Sequence, residues 1–322
     1  MHDIDKKYDV VLEDVPCCTG CMKNDEVIFS AYDLLHNLPG EYAVVKCLSC
    51  SLMRTNPRPT PETIGFYYPD DYGPYLGSRV PLVKDESPSV IKRWLKPLVN
   101  RIFEFNGMVL PPLPPARMLE IGCASGSYLH QMAEKGWQVQ GIEFSGKAAK
   151  AAQTLGYAVY VGPLETAPQP EHSVDLIVGW MVLEHLYDPV AGLRKLRKWA
   201  KPAAWLALSV PNAGSLEFHL FKNKWYALQV PTHLHHFTPR SLEKVLLVGG
   251  WSLVKVHHQR SLSNAIDSLG YLLREKGYTK LGKKLIDFPE KGGRFVYALY
   301  PLSWLLSLFG QTGRMTIWAK KT

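Results

Sequence analysis

The sequence lacks most of what would place it outside soluble globular enzymes. Its only long charge-free apolar run, Phe295 to Phe309, is interrupted by Pro301 and falls short of the roughly 20 residues a membrane span needs. Met1 to Asp14 mix acidic and basic side chains without the apolar middle of a signal peptide, so secretion is not expected. No internal repeat or low-complexity tract is present. Charged residues are held to 20% against 46% hydrophobic, which excludes disorder as the main state. Cysteine is scarce: six residues, four of them in two tight pairs, which suits metal ligation in a reducing cytosol better than a disulfide framework. A cytoplasmic protein is therefore expected.

What is present begins with those pairs. Cys18-Thr-Gly-Cys21 and Cys47-Leu-Ser-Cys50 are separated by enough chain for strands and turns, and two such knuckles can set four thiolates around one structural zinc ion. Cys17 competes with Cys18 for the first position, but leaves three residues to Cys21 where Cys18 leaves the usual two. Proline and aromatic residues crowd the next stretch, with one helix expected from Ser89 to Glu104. After Pro115 short apolar strands alternate with helical stretches, the pattern of βαβ units and a parallel sheet. Strands are expected at Arg117 to Ile121, Gln138 to Glu143, Ala158 to Val161, Val174 to Trp180, Trp205 to Val210, Ser252 to His257 and Met315 to Ala319. Divided by texture, the chain reads as a zinc-ribbon module (1–60), a connector (61–115), an α/β core (116–260), a helical insertion (261–312) and a last core strand (313–322).

The net charge is +8, and between Ser261 and Thr322 ten Lys and Arg stand against four Asp and Glu. Such an end suits either an anionic partner or a solvated basic surface. Basic residues beside the apolar run make 280–309 a candidate for peripheral membrane contact; a helical hairpin over the sheet is the plainer alternative.

The loop Glu120-Ile-Gly122-Cys123-Ala-Ser-Gly126 falls where a strand ends and a helix begins, and its glycines allow close approach of a ligand. Glu143, at the end of the next strand, can accept both hydroxyl hydrogens of a ribose. A dinucleotide fingerprint needs G-x-G-x-x-G, but Ala124 occupies the second glycine position, so pyrophosphate fits poorly. S-adenosylmethionine, which carries no phosphate, fits the looser loop.

On these motifs, with Ser173-Val-Asp175-Leu-Ile-Val and Val182-Leu-Glu184-His185-Leu, the stretch Met118 to Val210 resembles the class I S-adenosylmethionine-dependent methyltransferases. It is most similar to the branch with a cysteine-rich N-terminus, often associated with sugars, polysaccharide precursors and secondary metabolites. The resemblance implies a Rossmann-like seven-stranded methyltransferase sheet carrying the ribbon and a helical C-terminal insertion. It also implies that Glu120, Gly122, Cys123 and Gly126 line the methionine end of the cofactor, Glu143 holds the ribose, Leu164 and Glu165 flank adenine, and Trp180 and Met181 face the sulfonium. Two departures stand out. Ala203-Ala204 replaces paired glycines, so that turn must avoid positive φ or tolerate strain, and Pro163 stands where relatives carry an acid.

Methyl transfer is an in-line displacement that depends on alignment, and an alcohol or activated carbon must also lose a proton. A neutral imidazole is a natural acceptor at physiological pH. The segment Pro231 to Pro239 holds three histidines, and the resemblance points to His233 as the base, with His236 and His185 as further candidates. His236 alternatively orients the loop, His185 alternatively packs, and Thr238 is expected to cap the next helix. A metal site from His233, His235 and His236 is disfavoured, because adjacent side chains seldom converge on one ion. Asn212, Trp225 and Tyr226 form either an acceptor wall or lid packing. The expected reaction is methyl transfer to O or C of a small polar acceptor such as a nucleotide-sugar or glycan precursor. O-methylation of a prenylated aromatic at a membrane surface is one alternative. A zinc-ribbon RNA-binding protein is another, weakened because only Lys23 and Lys46 are basic between Cys21 and Cys50.

Overall fold

Five short strands open the described chain: β1 (Leu12–Glu13), β2 (Asp25–Tyr32), β3 (Glu41–Cys47), β4 (Met53–Thr55) and β5 (Arg58–Pro59). The computed structural model describes residues 10–21, 24–68, 108–291 and 298–322, so the helix expected over Ser89 to Glu104 lies outside the described residues. From Arg117 the expected alternation follows: β6 (Arg117–Ile121), α1 (Ser127–Glu134), β7 (Gln138–Glu143), α2 (Gly146–Thr154), β8 (Ala158–Val161), β9 (Val174–Trp180), α3 (Pro189–Trp199) and β10 (Ala200–Pro211). Then come α4 (Leu216–Phe221), β11 (His235–His236), α5 (Pro239–Val248) and β12 (Trp251–His258). Three helices, α6 (Ser263–Glu275), α7 (Thr279–Lys291) and α8 (Tyr300–Leu308), precede the last strand, β13 (Arg314–Lys321).

Seven of these strands form one Rossmann-like sheet in the order β12-β13-β10-β9-β6-β7-β8. Strands β8, β7, β6, β9 and β10 run parallel, while β13 is antiparallel to both β10 and β12. Met118, Leu119, Leu176, Ile177, Val178 and Leu206 are all buried, as central strands covered on both faces require. Side-chain caps start the helices where the sequence places them. Asp188 accepts from the Ala191 amide, and Thr238 forms a reciprocal capping box with Ser241. Within β10, at the irregularity between Ala200 and Trp205, Ala203 takes φ of +61°, so the chain tolerates the strain that paired glycines would relieve.

Strands β1 and β5 pair with each other, while β2, β3 and β4 form a further sheet whose order, β11-β4-β3-β2, includes a strand from the far side of the sequence. His235 pairs with Arg54 and His236 with Met53. The stretch read as a zinc-ribbon module over 1–60 thus shares its sheet with residues 235–236. The join is also packed: Cys17, Cys47, Cys50 and Leu52 belong to the same apolar cluster as Phe237, Leu242 and Ile317. Arg58 donates to the Tyr187 carbonyl and lies 4.6 Å over the Tyr187 ring, whose hydroxyl donates to the Pro59 carbonyl.

Helices α6 and α7 form a hairpin with very close backbones. A Cβ on Gly270 would stand 2.8 Å from the Gly282 carbonyl oxygen. The hairpin packs on the turn Tyr226–Leu228, where the Tyr226 amide donates to Ser268 Oγ and Tyr226 stacks on Tyr271. On α8 and just beyond it, Leu302, Trp304, Leu305, Leu308 and Phe309 are exposed. Among the described residues no helix is long and apolar enough to cross a membrane.

Candidate functional site

The glycine loop lies at the carboxyl end of β6, beside the end of β7, where open α/β sheets form their ligand crevice. It turns through three positive φ angles: Gly122 at +67°, Ala124 at +46° and Gly126 at +82°. Close packing fixes the glycines as well. A Cβ on Gly126 would meet the Ala152 Cβ at 2.7 Å, and one on Gly122 would collide with Val182. Glu143 braces the loop, its Oε2 accepting from the Ala124 amide at 2.7 Å and its Oε1 from the Ser145 amide at 2.8 Å. Each oxygen keeps a second lone pair for a ligand hydroxyl.

Glu120 is buried, and its Oε2 has no hydrogen-bond partner among the described residues. Burial, reinforced by the negative charge of Glu143, pushes its carboxyl well above the usual range. Burial also raises the Glu143 carboxyl, against the pull of the Ser145 and Ala124 amides. The unpartnered Glu120 oxygen and the spare lone pairs of Glu143, beside a positive-φ loop, are the acceptors that a methionyl ammonium and ribose hydroxyls require. The residues present therefore fit S-adenosylmethionine.

The remaining cofactor candidates divide by environment. Trp180 ends β9 with its ring edge-on to Tyr128 at 5.2 Å, and its Nε1 is buried without a partner among the described residues. Met181 follows at φ +58°, its amide donating to the Ser209 carbonyl. Cys123 contributes backbone to the loop, but its thiol sits in the apolar cluster with Leu129 and Met132, so a ligand-facing thiol does not occur. Leu164 is likewise buried in the core beneath α3, whereas the neighbouring Glu165 is exposed and its carbonyl accepts from Lys195.

The histidines separate in the same way. His185 follows β9, and its Nδ1 meets the Thr232 carbonyl at 2.9 Å and the Tyr68 hydroxyl at 3.0 Å. His233 places its Nδ1 2.9 Å from the Ala227 carbonyl, with its ring edge-on to that of His185 at 4.7 Å. Burial keeps both neutral, lowering His185 to about 4 and His233 well below the usual imidazole value. His236 instead bonds through Nε2 to Thr55 Oγ1 of the N-terminal sheet, and His235 stacks on Phe237. Sequence reading passed over Glu184, which is fully buried beside the pair with neither carboxylate oxygen partnered among the described residues. Its signal in the sequence was its place in the motif Val182-Leu-Glu184-His185-Leu.

Asn212 and Trp225 are not an exposed wall. Asn212 is fully buried and donates to the Gly310 and Thr312 carbonyls, while Trp225 packs edge-on to Phe218. An open cavity of about 550 Å³ lies nearby, next to Ala213 and Gly214 just beyond β10. Phe29, Met53 and Phe218 supply apolar lining, and Lys46, His219 and Lys222 supply basic lining.

The thiols cluster, with one change from expectation. Ligand atoms of Cys17, Cys21, Cys47 and Cys50 lie within 4.8 Å of one another, so Cys17 stands in the set where Cys18 was expected. The turn closed by the Gly20 amide on the Cys17 carbonyl carries Gly20 at φ +77°, and Cys17 is buried against Cys50 with their sulfurs 3.3 Å apart. Cys18 lies alongside, and its hydrogen bond to Cys17 holds the Cys17 thiol below its ordinary value. Four soft sulfur donors in this arrangement fit a structural zinc ion.

The methyltransferase domain family matches residues 91–256. A ubiquinone biosynthesis O-methyltransferase of Nitrosospira multiformis is 34% identical over 103 residues, which are 30% of this chain and 43% of that protein. One from Xanthomonas campestris is 31% identical over 135 residues, covering 39% of this chain and 56% of that protein. The chain thus spans about half the length of these curated relatives. Among solved structures, an S-adenosylmethionine-dependent methyltransferase from Mesorhizobium loti aligns with TM-score 0.46 at 15% identity, covering 70% of this chain and 97% of that one. Magnesium protoporphyrin IX methyltransferase from Synechocystis aligns with TM-score 0.41 at 14% identity, covering 74% and 90%.

Proposed function

This chain belongs to the methyltransferase domain family, and on that premise we propose that it is an S-adenosylmethionine-dependent enzyme whose acceptor is a small polar molecule of the nucleotide-sugar or glycan-precursor class. The observation that carries the acceptor class is the cavity next to the end of β10. Its apolar lining suits a ring face, and Lys46 and Lys222 suit phosphate oxygens. The thiol cluster supports kinship with the cysteine-rich branch and a structural zinc ion.

When bound, S-adenosylmethionine supplies an electrophilic methyl group. Glu120 holds the ammonium of its methionyl end, Glu143 the ribose hydroxyls, and Trp180 and Met181 flank the reacting centre; Leu164 and Glu165 border adenine through the loop they share. With its Nδ1–H on the Ala227 carbonyl, His233 in the metal-free protein is the base that receives the acceptor's proton. His185 packs edge-on against it, and His236 fixes the loop to Thr55. The protein acts in the cytoplasm.

Incubation with isotope-labelled methyl donor and a panel of nucleotide sugars and prenylated phenols tests this reading. Label in a nucleotide sugar, with KM raised in Lys222→Ala, is the expected result; label confined to prenylated phenols overturns it. That second reading, O-methylation at a membrane surface, draws on the exposed apolar side chains of α8 and on the reaction named for the curated relatives. It predicts that liposomes raise the rate.

A further inference from the structure

We infer that Glu184, His185 and His233 form a binding site for a divalent transition-metal ion of zinc-like chemistry, separate from the thiol cluster. One ligand atom from each of the three residues lies within 4.8 Å of the others. Main-chain contact fixes the arrangement, because the Leu234 amide, next to His233, donates to the Glu184 carbonyl at 2.8 Å.

The hydrogen-bonding roles identify the donor atoms. A backbone carbonyl can only accept, so the contacts to Thr232 and Ala227 require a hydrogen on Nδ1 of both histidines. In neutral rings this leaves both Nε2 atoms with bare lone pairs. An Nδ1–H anchored on a carbonyl is also how proteins orient histidines that ligate metals. Both oxygens of Glu184 are buried without partners among the described residues. Two imidazoles and a buried carboxyl thus share one small space, and a cation can satisfy all three groups at once. Two nitrogens and one oxygen suit zinc and related ions. His185 is the least buried of the three.

Occupancy does not depend on the methyl-transfer reading, but its role does. With an ion bound, Nε2 of His233 is committed. His233 would then not be free to take the acceptor's proton, and an ion held there would supply Lewis-acid chemistry instead.

Cobalt titration of the full-length chain, stripped with chelator, tests the site. The wild type should bind two equivalents, one with an intense thiolate-to-cobalt absorption band and one with only weak visible bands. Glu184→Gln and His233→Ala should each lose the second equivalent and keep the thiolate band, which also reports that they fold. Saturation of the wild type with thiolate-bound cobalt alone overturns the site, as does a Glu184→Gln protein that still takes both. The first of these does not depend on any variant folding. Calorimetry with S-adenosylmethionine on the same metal-free protein keeps the two readings apart. Cofactor binding without a second cobalt sinks only the metal site, and a second cobalt without cofactor binding sinks only the donor assignment.

Discussion

Buried carboxyls are the most informative single residues in this chain, because each must be neutral, paired or bound. Glu217 on α4 is buried, and burial pushes its carboxyl from 4.5 up to about 7 despite the Gly313 amide on its Oε1. The native state therefore holds a proton that the unfolded chain has released. Its contribution is complete below about pH 4.5 and is lost as pH rises through about 7. Glu217→Gln should remove this slope, gaining at most about 3 kcal/mol on the wild type between those limits in denaturant melts; parallel pH profiles would refute it. At Ala203, exposed and at φ +61°, substitution by glycine should stabilise by about 1 kcal/mol in the same melts. Glu143→Ala should cut cofactor affinity roughly 100-fold by calorimetry, since two amide contacts and the ribose site go together. Motif residues such as Gly122, Gly126 and Glu143 were legible because their chemistry is local. The choice of Cys17 over Cys18 was not, since it depends on which of two adjacent side chains turns inward.

Elements were legible where periodicity and burial coincide. The parallel strands β6, β9 and β10 read as apolar runs because both of their faces are covered. Strand β11 has two residues and exists only through pairing with β4, about 180 positions earlier, so no local pattern could announce it. The α6–α7 crossing was equally hidden, although its two glycines are plain in the sequence. A side chain at Gly282 would meet the Gly270 carbonyl and Arg274. Gly282→Leu should therefore spread the hairpin, at a cost of about 2 kcal/mol. Hydrogen exchange should rise over 263–291 while the sheet strands stay protected; uniform loss of protection would contradict a local effect.

At the scale of the whole molecule, the thiol cluster and the central sheet share one apolar core through Cys17, Cys47, Cys50 and Leu52. Removing the zinc ion proposed for those thiols should lower the melting temperature of the entire protein in one cooperative step. Two resolved calorimetric transitions would instead mean that the parts melt separately. The positive charge gathered near the C-terminus was visible from composition, whereas the docking of the ribbon onto the catalytic body was not, because it rests on contacts such as Arg58 on Tyr187 between distant positions.

Strand β11 also limits how this protein can be recombined. A chimera that transplants residues 10–68 onto another methyltransferase would arrive with the rim of β4 unsatisfied, and the donor left behind would expose the backbone of 235–236. The two stretches are one heritable unit split in the gene, and a working graft has to carry both.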